Sequence, residues 1–159
     1  MLELRGNYNI FDLPQNGEAM CVTTNGIVKA DGHAVMGAGI AKQANQLFNL
    51  SEKLGNYITQ YGNRAFNMGK FSNGSKCFTV FTLPTKYHYK EDSDITLICR
   101  SCEQLVEMCN KFGITKCYLT PPGCGCGHLN YENIVKPWIS LILDDRFIVV
   151  DNRTNIVLC

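Results

Sequence analysis

The sequence predicts a three-layer α/β domain, and two observations carry that expectation. Strand-like and helix-like runs alternate along the chain. Two of the strand-to-helix junctions are rich in glycine: Val35 to Asn45 (Val-Met-Gly-Ala-Gly-Ile-Ala-Lys-Gln-Ala-Asn) and Thr120 to Gly127 (Thr-Pro-Pro-Gly-Cys-Gly-Cys-Gly). In such folds ligands bind at loops beyond the carboxyl ends of strands, and both segments fall at such ends.

Met1 to Arg5 reads as a short strand and Ala19 to Asn25 as a buried one. Ile40 to Leu50 reads as a helix with Ile40, Ala44 and Leu47 on one face. Ser51 to Tyr61 continues as a second helical piece, with Ser51 as the expected N-cap. Lys76 to Leu83 is rich in β-branched and aromatic residues, which predicts a strand. Ile95 to Phe112 is the clearest helix, with Ile95, Ile98, Cys102, Leu105, Val106 and Cys109 on one stripe and Gly113 at the C′ position. Lys116 to Thr120 reads as a strand and Tyr131 to Leu143 as a helix with Ile134, Val135, Trp138, Ile139 and Ile142 at three- and four-residue spacing. Phe147 to Asp151 is a strand, and Asn155 to Leu158 is expected to add a terminal one. Asn130 reads as the N-cap of the helix after the second glycine loop, and Trp138 and Phe112 read as core.

With no internal repeat or linker, the 159 residues read as a single domain, 1–159. Hydrophobic residues make up 45% and charged residues 18%, which supplies one packed core and argues against a disordered chain. A net charge of +1 gives no broad electrostatic case for nucleic-acid or membrane binding. No run reaches the length of a membrane span, and the N-terminus shows no apolar signal region. Nine cysteines without a visible secretory signal point to a reducing, cytoplasmic setting and free thiols, with Cys21, Cys77, Cys102 and Cys109 at core-like positions. Cys99-x-x-Cys102 and Cys124-x-Cys126, the latter near His128, do not complete a four-ligand set, so no metal site and no cofactor is expected. A monomer is expected.

A glycine-rich turn into a helix N-terminus exposes several backbone N–H groups, and with the helix dipole these favour a bound anion. The plain alternative is a tight turn that needs positive φ. Two such loops suggest one ligand with two phosphates held between them. Gly37-x-Gly39 lacks the third glycine of a dinucleotide fingerprint, where Lys42 stands.

Asn25-Gly26, Val35 to Ala41, Pro122 to Gly127, and Leu129-Asn130-Tyr131-Glu132-Asn133 resemble a macrodomain over most of the chain. The stretch Leu83-Pro84-Thr85-Lys86-Tyr87-His88-Tyr89 is most similar to the branch with the terminal ADP-ribose protein glycohydrolase and the DNA ADP-ribosyl glycohydrolase antitoxins. The resemblance implies an α/β/α fold around a central mixed, largely parallel sheet. It implies ADP-ribose, or an ADP-ribosylated protein or DNA, as partner, and hydrolysis of bonds to ADP-ribose as activity.

Carried over by position, Met36, Gly37, Ala38, Gly39 and Ile40 cover one side of the diphosphate. Pro122, Gly123, Cys124, Gly125, Cys126 and Gly127 supply the other side, with His128 near the phosphate and Tyr131 near the distal ribose. Asn25 faces the distal ribose. Asn9, Ile10 and Phe11 match a segment that meets adenine, with Asn9 where an aspartate is usual and Asp12 close by as a substitute. Lys86 matches the catalytic lysine. The terminal glycohydrolase has an aspartate where Gly127 stands, so a lysine–aspartate pair does not transfer. Asp31 and His33, on the long loop before Met36, are the candidate general acid or base.

Breaking the anomeric bond develops oxocarbenium character. A buried lysine amine can attack that carbon, or hold a ribose hydroxyl or a leaving-group oxygen. The other reading of Lys86 is a solvated lysine at a strand end, and that of Tyr131 is core packing. Two other activities stay open: a phosphatase acting on ADP-ribose 1″-phosphate, for which Asn25 and His33 are suited, and a non-catalytic ADP-ribose reader.

Overall fold

The computed structural model describes residues 1–153. The strand expected at Asn155 to Leu158 lies outside the described residues. Six strands, β1 (Leu2–Arg5), β2 (Ala19–Thr24), β3 (Asn67–Asn73), β4 (Lys76–Pro84), β5 (Cys117–Leu119) and β6 (Phe147–Asp151), form one sheet in the order β1-β6-β5-β2-β4-β3. Every neighbouring pair is parallel except β3 with β4. The sheet is therefore mixed and largely parallel.

Both faces of the sheet are covered, and the alternation of side chains shows how. From β2, Ala19 and Cys21 point to one face and Met20 and Val22 to the other. The first face packs on α3 (Ile95–Phe112), through Ile98, Cys102, Leu105 and Cys109, and on the helical segment that starts at Tyr131. The second packs on α1 (Gly39–Phe48), through Ala41 and Ala44, and on α2 (Ser51–Tyr61), through Leu54 and Ile58. This is the three-layer arrangement, and it explains why the central strands are largely buried and mostly apolar.

The ends of α3 are set locally. Asp94 Oδ1 accepts from the Thr96 and Leu97 amides, and Gly113 closes the helix at φ 66°. Ser51 does not cap α2. It is the first helical residue, and the Leu50 and Ser51 amides donate instead to Asn45 Oδ1 at 2.9 and 3.0 Å.

β3 has no counterpart among the elements expected from the sequence. Its residues, Asn-Met-Gly-Lys-Phe-Ser-Asn, have little β character, and pairing with β4 makes it a strand. The residues Asn73 and Lys76 pair across the two-residue turn Gly74-Ser75.

The helix after the second glycine loop also differs. It begins as a π-turn over Tyr131–Val135, continues as α4 (Lys136–Ile139), and is capped by Asn130, which accepts from the Asn133 amide. A π-turn holds an extra residue and retards the phase of the next helical turn. Tyr131, Val135 and Ile139 therefore share the buried face, while Trp138 is turned outward and is 56% exposed. The core assignment of Phe112 fails too: as the last residue of α3 it is 46% exposed, with Lys111 over its ring. Cys77, near the start of β4, is exposed, whereas Cys21, Cys102 and Cys109 are buried.

Candidate functional site

The loops after β2, β4 and β5, and the residues after β6, meet at the carboxyl ends of the parallel strands. They enclose a cleft of about 760 Å³. Its walls include Asn25, Met36, Gly37, Ala38, Gly39 and Ile40 from the first glycine loop, and Gly123, Gly125, Cys126 and Gly127 from the second. Lys86 and Tyr89 come from the β4–α3 loop.

The first loop is organised by Asn25. Its Nδ2 donates to the Val35 carbonyl at 3.0 Å, and its Oδ1 accepts from the Ile27 amide at 3.0 Å. Between them the chain folds into a small hairpin, with Val28 bridged to Ala34 and the Lys29 amide donating to the His33 carbonyl. The loop ends at Ala38, which is extended and offers no side-chain cap, so the first amides of α1 are left for another partner.

The glycines separate into two groups. Gly123 has φ 76°, and a Cβ there would lie 2.8 Å from Ile98 Cδ1 and Ser93 Cβ. A Cβ at Gly127 would overlap Ser93 Oγ. These two positions are glycine because the protein's own packing leaves no room. Among the described residues, Gly37 and Gly125 have no atom within 4 Å of the position a Cβ would take, and neither has a positive φ. Neither packing nor backbone angle requires glycine at these two, and without side chains they leave the main chain open to the cleft.

Lys86 Nζ donates to the carbonyls of Cys126 at 3.2 Å and Tyr89 at 3.5 Å, and the side chain is half-buried rather than buried. Among the described residues lining the cleft, the charged side chains are Lys86 and Arg153, both cationic. Arg153 is held by Asp151 at 2.9 and 3.0 Å and lies over the Tyr131 ring. The hydrogen bonds from Arg153 keep the Asp151 carboxyl below its ordinary range.

Several expected residues sit elsewhere. Asp31 and His33 do not line the cleft. Asp31 Oδ1 accepts from the His33 amide, and His33 Nδ1 pairs with Ser51 Oγ at 2.9 Å, which turns the hairpin onto α2. Cys124 points into the core, with its Sγ donating to the Pro122 carbonyl and burial pushing its thiol up to about 12. Pro122 is likewise buried. Tyr131 is buried beneath Arg153, a packing position. His128 is exposed at φ 63° and pairs with Asp92 at 2.8 Å.

Asn9, Ile10 and Phe11 line an adjoining groove of about 610 Å³ that shares Ile40, Thr120 and Asn152 with the cleft. Ile10 and Phe11 are buried, and Asn9 Oδ1 accepts from the Phe11 amide. Asp12 faces away, toward Asn73 and Lys76 of the β3–β4 hairpin. The groove wall also contains Tyr8, whose backbone exchanges hydrogen bonds with the Asn152 side chain.

The cleft adds Thr24, Thr85, Ser93, Thr120, Asn152 and Arg153 to the residues singled out in the sequence. Thr24, Thr85 and Thr120 stand at or just past strand ends, which is the one local signal that marks them.

No protein-family model and no curated protein sequence matches the chain. Solved structures do. The macrodomain of Mycobacterium tuberculosis DarG superposes with a TM-score of 0.71 at 22% identity, over 96% of this chain and 99% of that one. The macrodomain of Thermus aquaticus DarG gives 0.71 at 23% identity, over 96% and 97%. Thermosipho africanus DarTG in complex with ADP-ribose gives 0.68 at 17% identity, over 89% of this chain and 40% of that one. The chain has the macrodomain fold. Among its described residues, no helix is long and apolar enough to cross a membrane.

Proposed function

We propose that this chain binds ADP-ribose in the cleft and hydrolyses bonds to it, removing ADP-ribose from a modified macromolecule. One observation carries the reading. Gly37 and Gly125 belong to two different loops of one cleft, and nothing among the described residues requires either to lack a side chain. A diphosphate lying against both main chains accounts for both. The open amides of α1 and the cations Lys86 and Arg153 suit its charge. One of the structural neighbours is itself a complex with ADP-ribose.

Lys86 then acts at the distal ribose. Its amine rests on two carbonyls of the cleft wall, from which it donates to a ribose hydroxyl or to the leaving-group oxygen as the anomeric bond breaks. Direct attack on the anomeric carbon would require the amine to leave both carbonyls. The bond breaks with its electron pair on the leaving group, water adds to the anomeric carbon, and the proton is released to solvent. Asn25 holds the loop beside this point.

A second reading, a reader without turnover, is favoured by one feature: neither Asp31 nor His33 lines the cleft, Asp31 capping the His33 amide in the hairpin and His33 pairing with Ser51 of α2. The same placement counts against His33 in a phosphatase role on ADP-ribose 1″-phosphate. The deciding experiment is calorimetric titration with ADP-ribose, then product release from an ester-linked ADP-ribosyl peptide, ADP-ribosylated DNA and ADP-ribose 1″-phosphate. Binding with release from the peptide or the DNA supports the hydrolase. Binding without any release leaves the reader, release from the phosphate alone gives the phosphatase, and no binding removes all three.

A further inference from the structure

The groove beside the cleft shares Ile40, Thr120 and Asn152 with it, but none of Lys86, Tyr89 or the second glycine loop. A ligand whose diphosphate spans the two loops and whose distal ribose meets Lys86 has this groove for the base at its other end. The groove is polar without being charged. Its amide side chains are those of Asn7, Asn9, Gln43, Gln46 and Asn152, and no carboxylate or cation is among the described residues that line it.

Adenine carries an amino donor at C6 beside an acceptor at N1. Hypoxanthine reverses both, with a carbonyl oxygen at C6 and an N–H at N1. A site prefers adenine when it holds a fixed acceptor against the amino group, which the carbonyl of the other base would leave unpaired. The turn over Ile10–Asp12 has its acceptors already engaged. Asn9 Oδ1 accepts from the Phe11 amide at 3.1 Å, which also fixes which end of the Asn9 amide is the oxygen. The Asn9 carbonyl accepts from the Asp12 amide at 3.0 Å and the Ile10 carbonyl from the Leu13 amide at 3.3 Å. The Phe11 carbonyl accepts from Asn73 Nδ2 at 2.9 Å. Asp12 faces the β3–β4 hairpin, and both ends of the Asn152 amide are engaged by the Tyr8 backbone. The NH2 group of Asn9 is left over, a donor that suits N1 of adenine and O6 of hypoxanthine alike. Gln43 and Gln46, exposed on α1, can turn either end of their amides to a ring.

We infer that the ligand class is a purine nucleoside diphosphate ribose, with a 6-oxopurine bound as well as adenine, and that Asn9 sets this breadth. The inference rests on the ADP-ribose reading and extends it to the base. Aspartate at position 9 would keep the bond to the Phe11 amide, since it caps a turn as well as asparagine does. It would put an acceptor-only oxygen where the NH2 group stands, which attracts the amino group of adenine and repels the carbonyl of hypoxanthine.

The test is calorimetric titration of the full chain with ADP-ribose and with inosine diphosphate ribose, for wild type and Asn9→Asp, with melting temperatures recorded beside it. Wild type is expected to bind the two within about threefold of one another, and Asn9→Asp to shift their ratio about tenfold toward ADP-ribose, the worth of one hydrogen bond. A wild-type preference for ADP-ribose beyond about threefold overturns the inference, and so does a shift in the variant of less than about threefold. If wild type binds ADP-ribose and not inosine diphosphate ribose, the ADP-ribose reading stands and this inference falls alone. If it binds neither, both fall.

Discussion

The amine of Lys86 lies 3.2 Å from the carbonyl oxygen of Cys126, although forty residues separate the two in the chain. That contact joins the loop after β4 to the second glycine loop. The Ser93 amide on the Gly127 carbonyl joins them again a few residues further on. The end of the cleft beside Lys86 is thus a seam between two loops that come from different strands. Disturbing either side of it should show in function before it shows in the fold.

Lys86→Ala is expected to lower turnover at least a hundredfold while leaving ADP-ribose affinity within about threefold. The lysine is half-buried and bonds only to carbonyls that face water once it is gone, so the fold is retained. Steady-state kinetics beside calorimetry reads both quantities. Unchanged turnover would remove the lysine from the mechanism.

Gly125→Glu is expected to abolish ADP-ribose binding in a protein that melts within a few degrees of wild type. The site has open space and no positive φ, so the fold accepts the side chain. The added carboxylate occupies and repels the position given to the diphosphate. Normal affinity in this variant would place the diphosphate elsewhere.

Gly55→Ala is expected to be destabilising by about 1–3 kcal/mol, against the usual gain of about 1 kcal/mol for this change inside a helix. A Cβ at Gly55 would overlap the Gly32 carbonyl oxygen and crowd the Ala34 amide, where the hairpin of the first loop rests on α2. The hairpin must shift, and with it the Met36 to Gly39 segment, so weaker ADP-ribose binding should accompany the lower melting temperature. A variant more stable than wild type would show that the hairpin does not pack on α2.

Acid should weaken the fold partly through Asp151. Its carboxyl is held below the ordinary 3.8 chiefly by hydrogen bonds from Arg153, and the residue is 5% exposed. A carboxyl whose folded pKa is depressed contributes stability that is present above the unfolded value and lost as pH falls through the folded one. Asp151→Asn should therefore melt below wild type at pH 7, with the difference shrinking below about pH 4. Equal melting temperatures at pH 7 would show that the pair with Arg153 adds nothing to the fold.

The two glycine loops and the helix Ile95–Phe112 were legible because their signals are local. A glycine run at a strand end marks a loop in its own residues, and an apolar stripe that ends at Gly113 states where a helix lies and stops. The place of Lys86 just past the end of β4, on the cleft wall, was legible from the stretch around it. β3 was not, because a strand with little β propensity exists only through its partner β4. Its trace in the sequence is the turn at Gly74-Ser75. Trp138 was misplaced because a π-turn changes the helical phase, and no residue spacing announces it. Asp31 and His33 were drawn to the cleft by their chemistry, but Ser51 and the glycine surface of α2 hold the hairpin elsewhere.

The sequence alone determines the α/β/α layering, the two main-chain loops and the lysine at the end of β4, since each depends on neighbours a few residues away. Only the tertiary structure decides which glycines face open space, that Ser93 fills the room beside Gly127, and that Arg153 joins Lys86 in the cleft wall. Those facts depend on contacts between segments tens of residues apart, and such contacts are set when the sheet closes rather than by any stretch of the chain.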